Sequence, residues 1–198
     1  MIDLLTDAAL ATTLISGLGL ALTLLFSLMR RDLEIWPPRA GRGWQFVLSF
    51  GLFRVYCTAT VVSALLDWGS LGWDHWSRLV PGLPLLVAGT VVTVRGYLGL
   101  GLRNTYCEAD GLVTGGLYAY SRNPQYVASV LATLGLALTT ASGAALAFAG
   151  GLFVIYFLFA LNEEPWLRAG YGDAYERYAR RTPRFVDERT LARVRERI

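Results

Sequence analysis

The hydrophobic positions of this chain come in long unbroken runs, not in the alternation of a half-buried strand or the single stripe of a soluble helix. Ala8 to Met29 is a run of 22 residues without a charge, and at 1.5 Å per residue it reaches about 33 Å, enough to cross a hydrocarbon core. Runs over 44-66 and 79-102 follow, the first carrying Arg54 and the second Arg95. Two more, 124-139 and 143-161, meet at the small-residue turn TASG, which predicts a tight helical hairpin with Pro124 at its first helical position. Within it Ala147 and Gly151 have the four-residue spacing that lets helices approach closely. The pattern predicts an all-α polytopic membrane protein: a single membrane domain over 1-198, with about five transmembrane helices and a C-terminal helical segment over 162-198. The first run is expected to be a retained span and not a signal peptide, because Asp3 and Asp7 precede it and it is too long for the apolar region of a leader.

Composition agrees with the pattern. Of 198 residues 54% are hydrophobic and only 17% charged, against roughly a quarter charged in a soluble domain, and mean hydropathy is +0.42. The eighteen basic residues are all arginine. A basic chain can bind nucleic acid, but these arginines sit between or after apolar runs, where membrane topology accounts for them. Arg30, Arg31, Arg39 and Arg42 follow the first span and Arg103 and Arg122 the third, while the loop after the second has one arginine and three tryptophans. The positive-inside rule then places the N-terminus outside and the C-terminus in the cytoplasm, in an inner or cytoplasmic membrane.

Little else in the chain suggests metal or nucleophile chemistry. Cys57 and Cys107 lack metal or disulfide spacing, and His75 is the one histidine, on the outer loop, so no metal is expected on the cytoplasmic side. Four G-x-G triplets occur; Gly17/Gly19 lies in mid-span and Gly41/Gly43 in a proline-rich loop, whereas Gly99 and Gly101 close a span beside Arg95, Arg103 and Asn104, where a ligand can approach the backbone. The same glycines equally serve helix packing. Glu163 and Glu164 end the fifth run, where the helix dipole disfavours negative charge and a compensating cation or ligand is needed. Tyr156, Phe159 and Glu163 fall on one face. Arg54 and Arg95, charged within spans, are expected to face a bundle interior or a watery cavity.

The ordered motifs GLYAYSRNPQY (116-126), EEPWL (163-167), YGDAYERY (171-178) and TPRF (182-185) resemble those of the integral-membrane methyltransferases typified by isoprenylcysteine carboxyl methyltransferase and phosphatidylethanolamine N-methyltransferase. The likeness runs over residues 99 to 185. It implies a cytoplasmic site for S-adenosylmethionine (SAM) formed by Gly99, Gly101, Tyr118, Arg122, Asn123, Pro124, Tyr126, Glu163, Glu164, Tyr175 and Tyr178. It also implies methyl transfer to a lipidic or lipid-tethered acceptor from the bilayer, a phospholipid amine or a prenylcysteine-type carboxylate. Glu163, Tyr126, Arg95 and Arg54 are the candidate catalytic residues, the arginines to orient the acceptor's head and Glu163 or Tyr126 to take a proton. Isoprenylcysteine enzymes usually have His where this chain has Asn123, which bears on the acceptor and not on the cofactor. An NADPH-dependent membrane reductase of the sterol type would call for more basic residues around a 2'-phosphate, and a non-enzymatic scaffold would need no carboxylate pair beside an Arg-Asn-Pro loop.

Overall fold

The computed structural model describes residues 2–33, 35–38, 43–73, 75–108 and 110–195. Arg39, Gly41 and Arg42, which entered the topology and glycine arguments above, lie outside the described residues. Among the described residues seven α-helices follow in order: α1 (Ile2–Met29), α2 (Trp44–Leu66), α3 (Leu79–Leu100), α4 (Leu102–Thr105), α5 (Pro124–Thr140), α6 (Gly143–Arg181) and α7 (Glu188–Arg195). Short 3-10 turns sit at Arg31–Leu33, Trp76–Arg78 and Gly116–Ala119.

Among the described residues four helices are long and apolar enough to cross a membrane, namely α1, α2, α6 and the continuous stretch Trp76–Leu100 that contains α3. The fifth expected span, α5, has 17 residues and reaches about 25 Å, so it is short for the role, but it packs against both α3 and α6. α6 departs from expectation more. It runs on without interruption past the apolar stretch that ends at Leu161, carries Pro165 inside it, and breaks only at Gly172, whose φ of 49 and ψ of −128 no helix residue adopts. Gly172 is thus the one break in this helix among the described residues.

Two packed groups make the bundle. In the first, α1, α2 and α6 meet around Leu20, Leu24, Tyr56, Phe148, Leu152 and Ile155, with the Tyr56 hydroxyl donating to the Phe148 carbonyl at 2.6 Å. In the second, α3 lies along α5 on glycines spaced seven apart. Gly82, Gly89 and Gly96 are all buried, and a Cβ on Gly89 would stand 2.7 Å from the Ala132 amide nitrogen. Seven residues is close to two helical turns, so the three share one stripe. The hairpin itself uses other small residues than expected: Ala145 and Ala149 are buried at 0% and 1% exposure, Ala147 is exposed, and Gly151 makes room for the Tyr56 hydroxyl.

At one end of the bundle Asp67 closes the hairpin turn. Its Oδ2 accepts from the Ser142 hydroxyl at 2.6 Å and from the Ala144 amide at 3.0 Å, while the Ser142 hydroxyl accepts from the Ala145 amide as the N-cap of α6. The α1–α2 turn, the 101–123 segment and the end of α6 gather at the other end, and there the candidate site lies.

Candidate functional site

The 115–123 loop is built by its neighbours. Its 3-10 turn ends at Tyr120, and Pro124 starts α5 without needing an amide proton. The chain after α6 runs beside it: the Arg122 amide donates to the Pro183 carbonyl at 2.8 Å, and the Asn123 side-chain amide donates to the Arg184 carbonyl at 3.0 Å. Helix α7 completes the clasp, for the Thr190 hydroxyl donates to the Tyr120 carbonyl at 2.8 Å and the Arg193 guanidinium to the Ala119 carbonyl. The charge of the stretch from Arg189 onward suits a solvated tail, yet Glu188–Arg195 docks on the loop, and 196-198 lie outside the described residues.

A cavity opens between this loop, the end of α6, α3 and α2, and has about 1120 Å³ including its mouth. Tyr118, Arg122, Asn123, Tyr126, Glu163, Glu164, Tyr175 and Tyr178 all line it, so most of the residues picked from the sequence stand together. Gly99 and Gly101 do not line it; Leu100 between them does, followed by Asn104 and Thr105. Gly101, with φ of 84, ends α3. Pro124 is buried behind the wall as the first residue of α5. Arg54 and Arg95 are absent from the lining and exposed on the outer faces of their helices. The cavity side of α3 is set by Tyr97 and Leu100, and a residue two positions from Tyr97 points to the far side of a helix. Arg54 lies one residue past the lining Phe53, its guanidinium 5.9 Å from the ring centre of Phe50.

The two adjacent glutamates have opposite surroundings. Glu164 is an ion-pair hub: Arg184 grips both of its oxygens, at 2.6 and 3.0 Å, Arg122 stands at 3.1 Å and Arg168 at 3.5 Å. The Arg184 guanidinium is held above its ordinary range by its hydrogen bonds to Glu164 against the cost of burial. Glu163 has neutral partners. Its Oε1 accepts from the Tyr126 hydroxyl at 2.7 Å and from the Trp36 indole at 3.1 Å. Arg122 also donates to the Tyr175 hydroxyl at 2.7 Å, and among the described residues its Nε is buried with no partner. Tyr126 stacks on Tyr156 with ring centres 4.2 Å apart, and Phe159 stands 4.6 Å from the Trp36 ring, so the Glu163 half is aromatic and the Arg122 half polar. Cys107 lines the wall, and burial pushes its thiol well above its ordinary value. Among the described residues no group of three or more His, Cys, Asp or Glu is placed to hold a metal ion.

The sequence pattern of the phospholipid methyltransferase family matches residues 77–174. That stretch of the chain belongs to the phospholipid methyltransferase family. The family segment takes in α3, the 115–123 loop, α5 and most of α6, and so supplies most of the cavity, while Trp36, Arg184 and α7 come from outside it. Two curated relatives extend the likeness. The cobalt-zinc-cadmium resistance protein CzcN of Cupriavidus metallidurans is 32% identical over 145 residues, covering 72% of this chain and 65% of that protein. The nickel-cobalt-cadmium resistance protein NccN of Alcaligenes xylosoxydans xylosoxydans is 26% identical over 143 residues, covering 72% of this chain and 66% of that protein. The chain thus spans just under two thirds of their length. No solved structure matches it. Among the elements that build this site, sequence reasoning did not place Trp36, Arg184 or α7. Only Arg184 carried a signal, inside the TPRF motif.

Proposed function

We propose that the chain is a SAM-dependent membrane methyltransferase that methylates an amine presented by a lipid. The observation that carries the reading is the cavity itself, in which a polar half around Arg122, Tyr175 and Tyr178 adjoins an aromatic half around Glu163. The polar half fits the donor: the orphaned Arg122 Nε is a buried donor awaiting an acceptor such as the carboxylate of SAM, and the tyrosines offer faces to adenine and sulfonium. When bound, SAM supplies an electrophilic methyl for in-line displacement, in which the new N–C bond forms as the C–S bond breaks and its electron pair returns to sulfur.

The chain's own residues do the rest. Glu163 takes the proton that an ammonium must lose before its lone pair is free, Tyr126 holds that carboxylate in place, and the aromatic walls exclude water and align the partners. An amine suits this half better than a carboxylate does. The acceptor would face Glu163, and the one cation among the described lining residues, Arg122, is tied to Glu164; a carboxylate there would meet like charge without compensation. We place the cavity on the cytoplasmic side by the positive-inside rule. We infer from the relatives' names, a cobalt-zinc-cadmium and a nickel-cobalt-cadmium resistance protein, that the methylated product serves tolerance of such metals.

The test is transfer of labelled methyl from SAM, by the full chain in lipid nanodiscs, to phosphatidylethanolamine, with SAM binding followed by calorimetry. Saturable binding and label in the lipid are expected. No binding of SAM, or binding without transfer to any lipid amine, overturns the reading.

A further inference from the structure

Trp36 lies well before the family segment, in the Ile35–Pro38 turn between α1 and α2. Tryptophans near a membrane surface usually keep the indole N–H wet at headgroup level. This one is 8% exposed and turned inward. Its main chain is clamped to the end of α1, the Trp36 amide donating to the Ser27 hydroxyl at 3.1 Å and that hydroxyl donating to the Trp36 carbonyl at 3.3 Å. Its ring stands 5.2 Å from Phe50 and 4.6 Å from Phe159. Its N–H reaches Glu163 Oε1, the oxygen that Tyr126 also bonds, 127 residues away in sequence.

Two donors from separate segments on one carboxylate oxygen fix the side chain's rotation, and among the described residues the second oxygen takes no bond from the chain. Trp36 lines the cavity beside this carboxylate, and its backbone-clamped ring bounds the space left there for an incoming group. We propose that Trp36 is a positioning residue for Glu163 and also sets how bulky a methyl-accepting amine the cavity admits. The inference rests on the methyltransferase reading above. It adds an N-terminal determinant of specificity to a site otherwise drawn from the family segment.

Two variants separate the two roles. Trp36→Phe keeps a ring and removes the N–H; kcat on phosphatidylethanolamine should fall about tenfold with KM and SAM affinity within about twofold, because Glu163 loses an orienting bond and the binding surface stays. Trp36→Ala removes the wall; its rate on the dimethylated lipid relative to the primary amine should rise at least about fivefold. Thermal-shift titration with dodecylamine and N,N-dimethyldodecylamine should show the same change of preference with no turnover involved. Unchanged kcat in Trp36→Phe overturns the positioning role, and unchanged amine preference in Trp36→Ala overturns the size role. If Trp36→Ala does not fold, Trp36→Leu carries the same comparison. A wild-type chain that binds SAM and methylates no lipid amine defeats the functional reading instead, and the titration with the two alkylamines still decides whether Trp36 selects by size.

Discussion

Adjacent residues with the same side chain take different roles here because a helix turns by about 100° per residue. Glu164 lies among three guanidiniums and Glu163 between a phenol and an indole, so one is a structural tie and the other, in the proposed reaction, is the group that exchanges a proton. Glu164→Gln should therefore cost stability, about 3 kcal/mol, because breaking a buried pair strands its partners. Glu163→Gln should leave the melting temperature within a degree or two and lower methyl transfer at least about 100-fold, the usual worth of a positioned base. Denaturation in detergent and initial-rate assays on both variants measure the contrast; a larger loss of stability in Glu163→Gln than in Glu164→Gln would reverse the assignment. Arg54 and Arg95 show the limit of reasoning from single residues. Each is conspicuous as a charge within a span, yet both lie on outer faces, where a long stem can carry the charge toward the headgroups.

At the scale of elements, helix pairing depends on where side chains are missing. The α3–α5 seam rests on Gly82, Gly89 and Gly96, and a methyl group on Gly89 would press against the backbone of Ala128 and Ala132, at 2.8 and 2.7 Å. Gly89→Ala should then destabilise by about 1–3 kcal/mol through overpacking. Gly150→Ala, with nothing within 4 Å of the added carbon, should be neutral or slightly stabilising, since alanine is the better helix former; thermal unfolding of the two variants compares them directly. The hairpin turn gives a pH dependence. Burial works to raise the Asp67 carboxyl, but its bonds from Ser142, Ala144 and Ser70 prevail and hold it below its ordinary value. A depressed folded pKa means stability that is present above the ordinary carboxylate range and lost as pH falls through the folded value. Wild type should lose stability relative to Asp67→Asn on acidification from pH 6 to pH 3, read as a narrowing gap in melting temperature. Helix α7 has a different lesson: its Arg193 and Thr190 cap carbonyls of the 115–123 loop, a partner about seventy residues distant that composition could not name.

For the whole molecule, the up-and-down path puts the Trp76–Arg78 turn at one end and α7 at the other. Impermeant maleimide should label Ser77→Cys in intact cells and Glu188→Cys only after permeabilisation if the C-terminal end is cytoplasmic; the opposite pattern would invert the assigned topology. The helical class, the helix positions to within a few residues at most ends, and the family were legible in the sequence, the helices because hydrocarbon imposes length and apolarity on every crossing segment. The Arg-Asn-Pro loop, the carboxylate pair and the tyrosine segment could also be picked out, as short motifs that the structure brings to one cavity. What faces what was not. The inward turn of Trp36, the division of labour between Glu163 and Glu164, the outward faces of Arg54 and Arg95 and the docking of α7 all follow from rotation and contact between segments far apart in the chain. Hydropathy fixes that a helix crosses the membrane, but near-uniform apolar surfaces leave its rotation open, and only tertiary packing decides it.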